Sequence, residues 1–180
     1  AKNAQEAGFD GVELHCTSGY LPMQFLCSDS NQRNDEFGKN VQGRVKFAVE
    51  CIRTMASVFG AGRVGLRINP GNRFNDTKDE FPENSHVALL EAISDLDLAY
   101  LHIMRAPIES IDAFKMGREW FKGALIVNDG FNPASAADAL NDGLAEAVSF
   151  ARHYVANPDL VNCITSDLPL KKLKRETLYT

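Results

Sequence analysis

The sequence predicts a parallel α/β sheet that forms part of a (β/α)8 barrel. Five short apolar runs recur along the 180 residues, and segments with helical periodicity separate them. Strands that alternate with helices in this way pair in parallel through right-handed crossovers. A closed barrel needs eight strands and about 250 residues. The first seven residues are already in helical register with no initiator Met before them, so the chain is expected to be a fragment.

Each predicted strand is a short apolar run, and the strands in order are Gly11–Leu14, Arg63–Ile68, Tyr100–Ile103, Ala124–Val127 and Ala145–Ser149. The predicted helices between them are Val41–Val58, His86–Leu96, Ile111–Phe121 and Ala134–Asp142. The first helix has the clearest pattern, because Val45, Ala48 and Ile52 belong to one apolar stripe at helical spacing. Gly60 and Gly143 follow predicted helices, as glycine often does at a helix end.

Composition and charge argue against several classes of function. The net charge of −5 disfavours a nucleic-acid partner, which would need clustered Lys and Arg. No apolar run approaches the roughly 20 residues of a membrane span, and no secretory signal is recognised, so a cytoplasmic protein is expected. The four cysteines lack zinc-like spacing, and no His and carboxylate residues recur at ligand spacing, so no metal site is predicted.

The most informative segment is Gly8–Phe47, in which a strand is followed by a long polar loop. His15 ends the predicted strand, and Ser18 and Tyr20 follow it. Enzymes with parallel sheets place their active sites at such strand ends. An imidazole N–H and a hydroxyl can hold a substrate oxygen, and a phenol can donate a proton. The residue types leave two alternatives open, a structural role for His15 and an amphipathic packing role for Tyr20.

Two further regions carry candidate binding residues. Arg67 lies near the end of a predicted strand, where a salt bridge and a cofactor contact are both open, because an unpaired buried guanidinium is costly. Asp129 and Gly130 follow one of the last two strands, and Ala151 and Arg152 follow the other. These two loops often bind phosphate in barrels. Gly130 would let the backbone approach closely, and Arg152 would supply positive charge.

Other polar residues of the long loop have a structural interpretation. Arg33, Asp35 and Arg44 are expected to fasten the loop through ion pairs. The sequence contains no dinucleotide-binding glycine motif, P-loop or nucleophile elbow. No lysine at a strand end offers a Schiff-base candidate, so an aldolase or a related phosphate-binding barrel enzyme lacks support.

Taken in order, these segments resemble the Old Yellow Enzyme family of flavin-dependent ene-reductases, which includes N-ethylmaleimide reductases and oxophytodienoate reductases. The matching segments are GFDGVELH, GYLPMQFL, SNQRNDEFG, RVGLRINP, LAYLHI, the DGF turn, ARHYVANPDL and the terminal LYT. The run SNQR-x-D-x-[YF]-G and the ANPDL segment are the most specific. The resemblance implies a (β/α)8 barrel that holds FMN noncovalently. Residues 1–180 would be the C-terminal half of this single domain, from strand four to strand eight.

The resemblance also implies a reaction, in which a hydride passes from NAD(P)H through FMN to the β-carbon of an activated alkene. Enones, maleimides and nitro compounds are the implied substrates. By resemblance, Tyr20 donates the proton to the α-carbon and His15 binds the substrate's carbonyl or nitro oxygen. Ser18 stands where the family usually has Asn or His, so this second donor is shorter and polarisation is expected to weaken or to need a water. Tyr179 would lie near the substrate mouth.

The resemblance assigns the cofactor contacts as well. Arg67 would lie near the flavin N1 and C2 oxygen, and Gly130 and Arg152 would form the phosphate clamp. Asp129 and Ala151 stand where the family usually has glycine. A carboxylate near a phosphate is repulsive unless it points away, and a Cβ at a close approach would crowd the phosphate.

A half barrel would leave two sheet edges unpaired and its inner face uncovered. The expected partners are therefore the missing N-terminal half of the barrel or another copy of this chain, besides the small-molecule substrate. The isolated chain is expected to bind FMN weakly and to be inactive. The alternative function is a non-catalytic half barrel that binds FMN or phosphate, or only assembles with itself.

Overall fold

The computed structural model describes residues 1–178, and a parallel sheet of five strands runs through this part of the chain. The strands are β1 (Val12–Cys16), β2 (Val64–Ile68), β3 (Tyr100–Met104), β4 (Ala124–Asn128) and β5 (Ala147–Ser149). Their order in the sheet is their order in the sequence, and each neighbouring pair is parallel. The predicted parallel sheet is confirmed.

Helices precede, connect and follow the strands. They are α1 (Lys2–Glu6), α2 (Leu21–Leu26), α3 (Val41–Phe59), α4 (Pro82–Ala92), α5 (Ala113–Trp120), α6 (Pro133–Asn141), α7 (Arg152–Ala156) and α8 (Leu160–Thr165). Short 3₁₀ turns lie at Ala61–Arg63, Phe74–Asp76 and Arg175–Thr177. Within residues 1–178, no helix combines the length and apolarity needed to cross a membrane. The same residues hold no group of three His, Cys, Asp or Glu side chains suited to a metal ion.

Several predicted boundaries need correction, and β5 begins two residues later than predicted, at Ala147. β1 ends at Cys16, two residues beyond its predicted end at Leu14, because Cys16 is buried and pairs with Ile68 of β2. The helix predicted at His86–Leu96 begins at Pro82 and ends at Ala92, since proline is well suited to a first helical turn. The polar loop after β1 is interrupted by α2, which also has a proline in its first turn.

The two faces of the sheet differ in chemistry, because side chains alternate between faces along each strand. One face carries Leu66, Leu101 and Leu125, which are at most 1% exposed and join the apolar core with α3 and α4. The opposite face carries polar side chains from all five strands, namely Glu13, His15, Arg67, Tyr100, His102, Asn128 and Ser149. The sheet therefore presents one polar face, and candidate functional groups lie on it.

The loop before α3 is fastened as the sequence predicted. The Arg33 guanidinium pairs with the carboxylate of Asp35, and Arg44 Nη2 lies 4.0 Å from the Asp79 carboxylate. Arg44 Nε also donates a hydrogen bond of 2.9 Å to the carbonyl oxygen of Leu26. Gly43 is buried, and a Cβ there would lie 3.1 Å from the carbonyl oxygen of Glu36. Glycine in the first turn of α3 thus allows the loop to pack closely against the helix.

His86 on α4 should make stability depend on pH. Its side chain is 1% exposed, and burial lowers its pKa below the usual value, against the smaller effects of the Pro82 carbonyl and the Asp79 charge. Below about pH 6.5, His86 is therefore protonated in the unfolded chain, whereas it stays neutral in the folded chain until the pH reaches its lowered pKa. Stability from neutral His86 is fully present above about pH 6.5 and is lost as the pH falls toward the folded pKa.

We expect the free energy of unfolding to decrease from about pH 7 to about pH 5, and His86→Phe to flatten this part of the profile. Urea denaturation at several pH values measures the slope. His153→Phe, at a half-buried position on α7, is the control and should keep the wild-type slope. If the His86 variant keeps the wild-type slope between these pH values, another group causes the dependence.

Candidate active site

His15 and Tyr20 lie together at the carboxyl end of β1. His15 is the fourth residue of the strand, and Tyr20 immediately precedes α2. Their ring centroids are 5.4 Å apart at an interplanar angle of 52°. Both side chains are exposed, Tyr20 to 54%. One ligand at this edge of the sheet can therefore contact the imidazole and the phenol together.

Ser18 lies in the same loop but is held differently. Its φ of +57° is in the left-handed region, and its carbonyl oxygen accepts a hydrogen bond of 2.8 Å from Asn75 Nδ2. Its hydroxyl lies 3.5 Å from the Thr17 hydroxyl. Among the described residues the structure gives this hydroxyl no hydrogen bond to His15. Ser18 is thus near the predicted pair without contacting it.

The surroundings of His15 favour a neutral imidazole. Partial burial lowers the pKa of His15, and the positive charge of Arg67 lowers it further, whereas the Glu13 carboxylate opposes the change. Arg67 is the direct neighbour of His15 across β1 and β2. A neutral imidazole carries one N–H donor and one acceptor nitrogen. His15 can therefore donate a hydrogen bond to an oxygen near neutral pH.

Arg67 is half-buried on β2 and makes hydrogen bonds to an imidazole and to an amide side chain. Its Nη1 lies 2.6 Å from His102 Nε2, and its Nη2 donates a bond of 3.0 Å to Asn128 Oδ1. Its buried Nε has no hydrogen-bond partner among residues 1–178. Burial lowers the pKa of Arg67, while the charge of Glu13 raises it. The predicted salt bridge is not formed within the described chain, and one buried donor is left for a ligand.

A hydrogen-bonded network of side chains on the polar face holds the Arg67 guanidinium in place. His102 Nδ1 lies 3.0 Å from Glu13 Oε2, and His102 Nε2 lies 2.7 Å from Ser149 Oγ. Asn128 Nδ2 donates to the Ser149 carbonyl oxygen at 2.8 Å. The network of Glu13, Arg67, His102, Asn128 and Ser149, here called the five-strand network, contains one side chain from each strand. It holds the polar face of the sheet in one arrangement.

Tyr100 completes this face beside Gly65. A Cβ at Gly65 would lie 2.3 Å from the Tyr100 ring, so the glycine leaves room for the ring to reach Glu13. Burial raises the pKa of Tyr100 to about 12, and the charge and hydrogen bond of Glu13 contribute. Burial also tends to raise the pKa of Glu13, but hydrogen bonds to His102 and Tyr100 and nearby positive charge lower it overall. Glu13 is therefore an ionised acceptor at neutral pH.

A cleft of about 800 Å³ opens beside this face, where the loops after β4 and β5 meet. Arg67, Asp129, Gly130, Ala151 and Arg152 all line it. Asp129 and Gly130 both have a left-handed backbone, with φ of +76° and +79°. Ala151 has a φ of −106°, which any residue adopts. The structure thus brings the predicted cofactor-binding residues to one cleft.

The candidate phosphate-binding loops contain an internal ion pair. The Arg152 guanidinium binds the Asp129 carboxylate, and the two side chains are 64% and 40% exposed. The Asp129 carboxylate, which was predicted to repel a phosphate, is therefore paired with Arg152, the cation of the predicted phosphate clamp. Arg105, a residue that the sequence patterns did not single out, donates from Nε to the Asp129 carbonyl oxygen at 3.4 Å.

Most of the five-strand network, including Glu13, His102 and Ser149, is not predicted from the sequence patterns. A signal was available, since polar residues alternate with buried apolar ones within the strands. Tyr179, predicted near the substrate mouth, lies outside the described residues.

Comparison with known proteins decides the family. The sequence model of the NADH:flavin oxidoreductase / NADH oxidase family matches residues 1–171. The chain belongs to this family. A probable flavin mononucleotide-dependent alkene reductase from Leishmania infantum is 40% identical over 184 residues, covering 100% of this chain and 50% of that protein. The predicted Old Yellow Enzyme resemblance is confirmed.

Solved structures agree with this assignment. The old yellow enzyme from Trypanosoma cruzi matches with a TM-score of 0.92 at 33% identity, covering 99% of this chain and 48% of that one. Morphinone reductase in complex with tetrahydroNAD matches with a TM-score of 0.91 at 34% identity, covering 99% and 49%. This Old Yellow Enzyme chain spans about half the length of these relatives and corresponds to their C-terminal half. The predicted partial (β/α)8 barrel is confirmed.

The Old Yellow Enzyme family depends on FMN, and the residues present fit this cofactor. The buried Nε of Arg67 has no hydrogen-bond partner within the described residues. The cleft beside it has the size of a small-molecule site, and Gly130 and Arg152 lie in its wall. Arg67 would hold an acceptor edge of the flavin, and Gly130, Ala151 and Arg152 would surround the phosphate.

Proposed function

We propose that the full-length barrel containing these residues is an FMN-dependent NAD(P)H oxidoreductase that reduces the C=C bond of activated alkenes. The observation that carries this proposal is the pairing of His15 and Tyr20, with rings 5.4 Å apart, at the exposed end of the strand beside Arg67. We further infer that residues 1–180 are the C-terminal half of one barrel domain. Enones, maleimides and nitro compounds are the proposed substrate classes, and a cytoplasmic location is part of the same proposal.

In this proposal, each side chain at the edge of the sheet has a separate role toward the substrate. His15 donates its N–H to the carbonyl or nitro oxygen and so draws electron density away from the β-carbon. Ser18 is a second, shorter donor, or acts through a water. Tyr20 donates its phenolic proton to the α-carbon. FMN, when bound, supplies the hydride that it takes from NAD(P)H.

The cofactor contacts rest on charge and shape. Arg67 is held by the five-strand network with one N–H free for the flavin edge, and its positive charge favours an anionic reduced cofactor. Arg152 pairs with phosphate through its guanidinium. Gly130 gives the backbone a close approach, and Ala151 lines the same cleft.

The proposal is tested on the full-length barrel by anaerobic mixing of FMN-loaded protein, first with NADH or NADPH and then with an enone. We expect loss of the flavin absorbance in the first step and its recovery in the second. A protein that binds FMN but shows no reoxidation by enones, maleimides or nitroalkenes would instead support the non-catalytic alternative. The Asp129–Arg152 pair supports the other form of that alternative, a half barrel that only assembles with itself, because the pair occupies the cation that a phosphate would need.

The isolated 180-residue chain should bind FMN weakly and show no alkene reduction. β1 and β5 each have one paired neighbour in the described sheet, and His15 on its polar face is exposed. We propose that the N-terminal half of the barrel, or a second copy, covers it. Titration with FMN, followed by flavin fluorescence and light scattering, measures affinity and oligomeric state. Tight binding or turnover by a monomer would contradict this expectation.

A further inference from the structure

The turn after β4 has an unusual backbone for the residue it carries. Asp129 and Gly130 have consecutive φ values of +76° and +79°. Glycine adopts this region freely, whereas a residue with a Cβ is strained there, although Asp and Asn tolerate it better than most. A glycine at position 129 would relieve the strain. The contacts of the Asp129 side chain therefore need an explanation of their own.

Asp129 is held between two arginines. Its carboxylate binds the Arg152 guanidinium from the loop after β5, and its carbonyl oxygen accepts from Arg105 Nε at 3.4 Å. The Arg105 guanidinium lies 4.8 Å from the Phe114 ring centroid and 5.3 Å from that of Phe131. The turn is thus fixed on one side through its backbone and on the other through its carboxylate.

The carboxylate lies in an otherwise basic cleft. Arg67, Arg152, Lys171 and Lys172 line this cleft, and Asp129 is the one acidic residue among its described lining residues. A cleft of this composition attracts anions. A phosphate that approaches Arg152 meets a guanidinium already paired with a carboxylate. Either the phosphate displaces Asp129, or it shares the cation next to a negative charge.

We propose that Asp129 is an internal competitor for phosphate at Arg152, and that it sets the affinity of this cleft for phosphate-bearing ligands. The inference rests on the proposed function where the ligand is FMN, whereas the competition itself requires only a phosphate group. Asp129 is a specificity-determining residue in this role, because it selects against weakly charged anions and leaves neutral ligands unaffected.

The test compares wild type with Asp129→Asn in the 180-residue chain, using inorganic phosphate, FMN and riboflavin as probes. Backbone amide NMR shifts follow binding even when it is weak. Asn keeps the side-chain shape and tolerates the left-handed backbone. We expect Asp129→Asn to bind phosphate and FMN about tenfold more tightly, which equals ~1.4 kcal/mol, with riboflavin unchanged. Added NaCl should reduce the gain, because the pair is exposed.

A matched control is Asp167→Asn, which removes one negative charge at another exposed residue with a positive φ, +51°, outside the lining of the cleft. Its affinities should equal those of the wild type. In an Arg152→Gln background the gain from Asp129→Asn should disappear, because the competed cation is absent. Asp129→Gly is the second variant, and it should reproduce the gain without backbone strain.

Several results would overturn the proposal. They are no tightening for phosphate in either Asp129 variant, equal tightening for riboflavin, an equal gain from Asp167→Asn, or a gain that persists with Arg152→Gln. A full-length barrel that fails to reduce alkenes while Asp129→Asn still tightens phosphate would remove the proposed function and keep this inference. Normal turnover without any phosphate gain would do the reverse.

Discussion

Tyr20→Phe is expected to slow alkene reduction by about 100-fold or more in the full-length barrel, and to leave reduction of the bound flavin by NAD(P)H nearly unchanged. A positioned general acid typically contributes 10²–10⁴-fold, by order of magnitude. Phenylalanine keeps the ring that lies 5.4 Å from His15 and removes only the hydroxyl. The variant therefore separates proton donation from packing, the two roles that the sequence left open for this residue.

Stopped-flow absorbance of the flavin measures both half-reactions separately. Tyr154→Phe is the control, because Tyr154 on α7 is 43% exposed and does not line the cleft. It should leave both rates at their wild-type values. Equal losses in the two half-reactions of Tyr20→Phe would indicate a damaged binding site, and no loss in either would remove Tyr20 from the role of proton donor.

The sequence predicted the order of strands and helices well because each has a strong local signal. The apolar stripe of α3 and the runs that became β2 and β4 each match one period, so their bounds shift by only one residue. β5 is different, since Ala145 is buried before the strand begins and only Ala147–Ser149 pair with β4. An apolar run in the sequence indicates which residues are buried, whereas the ends of a strand depend on where the neighbouring strand provides hydrogen-bond partners.

The candidate site was predicted where chemistry follows directly from residue type and position. His15, Tyr20 and Arg67 follow from their places near strand ends, and the resemblance then gave them roles. The Asp129–Arg152 pair could not be predicted, because the two residues are 23 positions apart and meet only when two loops fold together. The network behind Arg67 depends on register, since His102 is its neighbour only through the pairing of β2 and β3.

His102→Leu is expected to lower the free energy of unfolding by about 2 kcal/mol. The side chain is 9% exposed and contacts Glu13 at 3.0 Å, Ser149 at 2.7 Å and Arg67 at 2.6 Å. Leucine fills much of the space but leaves these groups with fewer partners, and an unsatisfied buried polar group costs about 1–3 kcal/mol. The upper end of that range does not apply, because Glu13 and Arg67 keep some contact with solvent.

The pH profile gives a second measure of the same loss. Glu13 has a lowered pKa in the folded chain despite burial, and the hydrogen bond and charge of His102 are the main causes of the lowering. Its stabilising contribution is therefore present above about pH 4.5 and is lost as the pH falls through the folded pKa. In His102→Leu the acid side of the stability profile should become shallower, which urea denaturation between about pH 5 and pH 3 would detect.

A double-mutant cycle separates a coupled network from a set of independent contacts. Glu13→Leu and His102→Leu together should cost less than the sum of the single variants, by about 1 kcal/mol, because no unpaired partner remains between them. Glu13→Leu combined with Ile103→Val, which removes one methylene from the apolar face, should be additive. If both pairs are additive, Glu13 and His102 contribute independently to stability, and the network is not coupled through their contact.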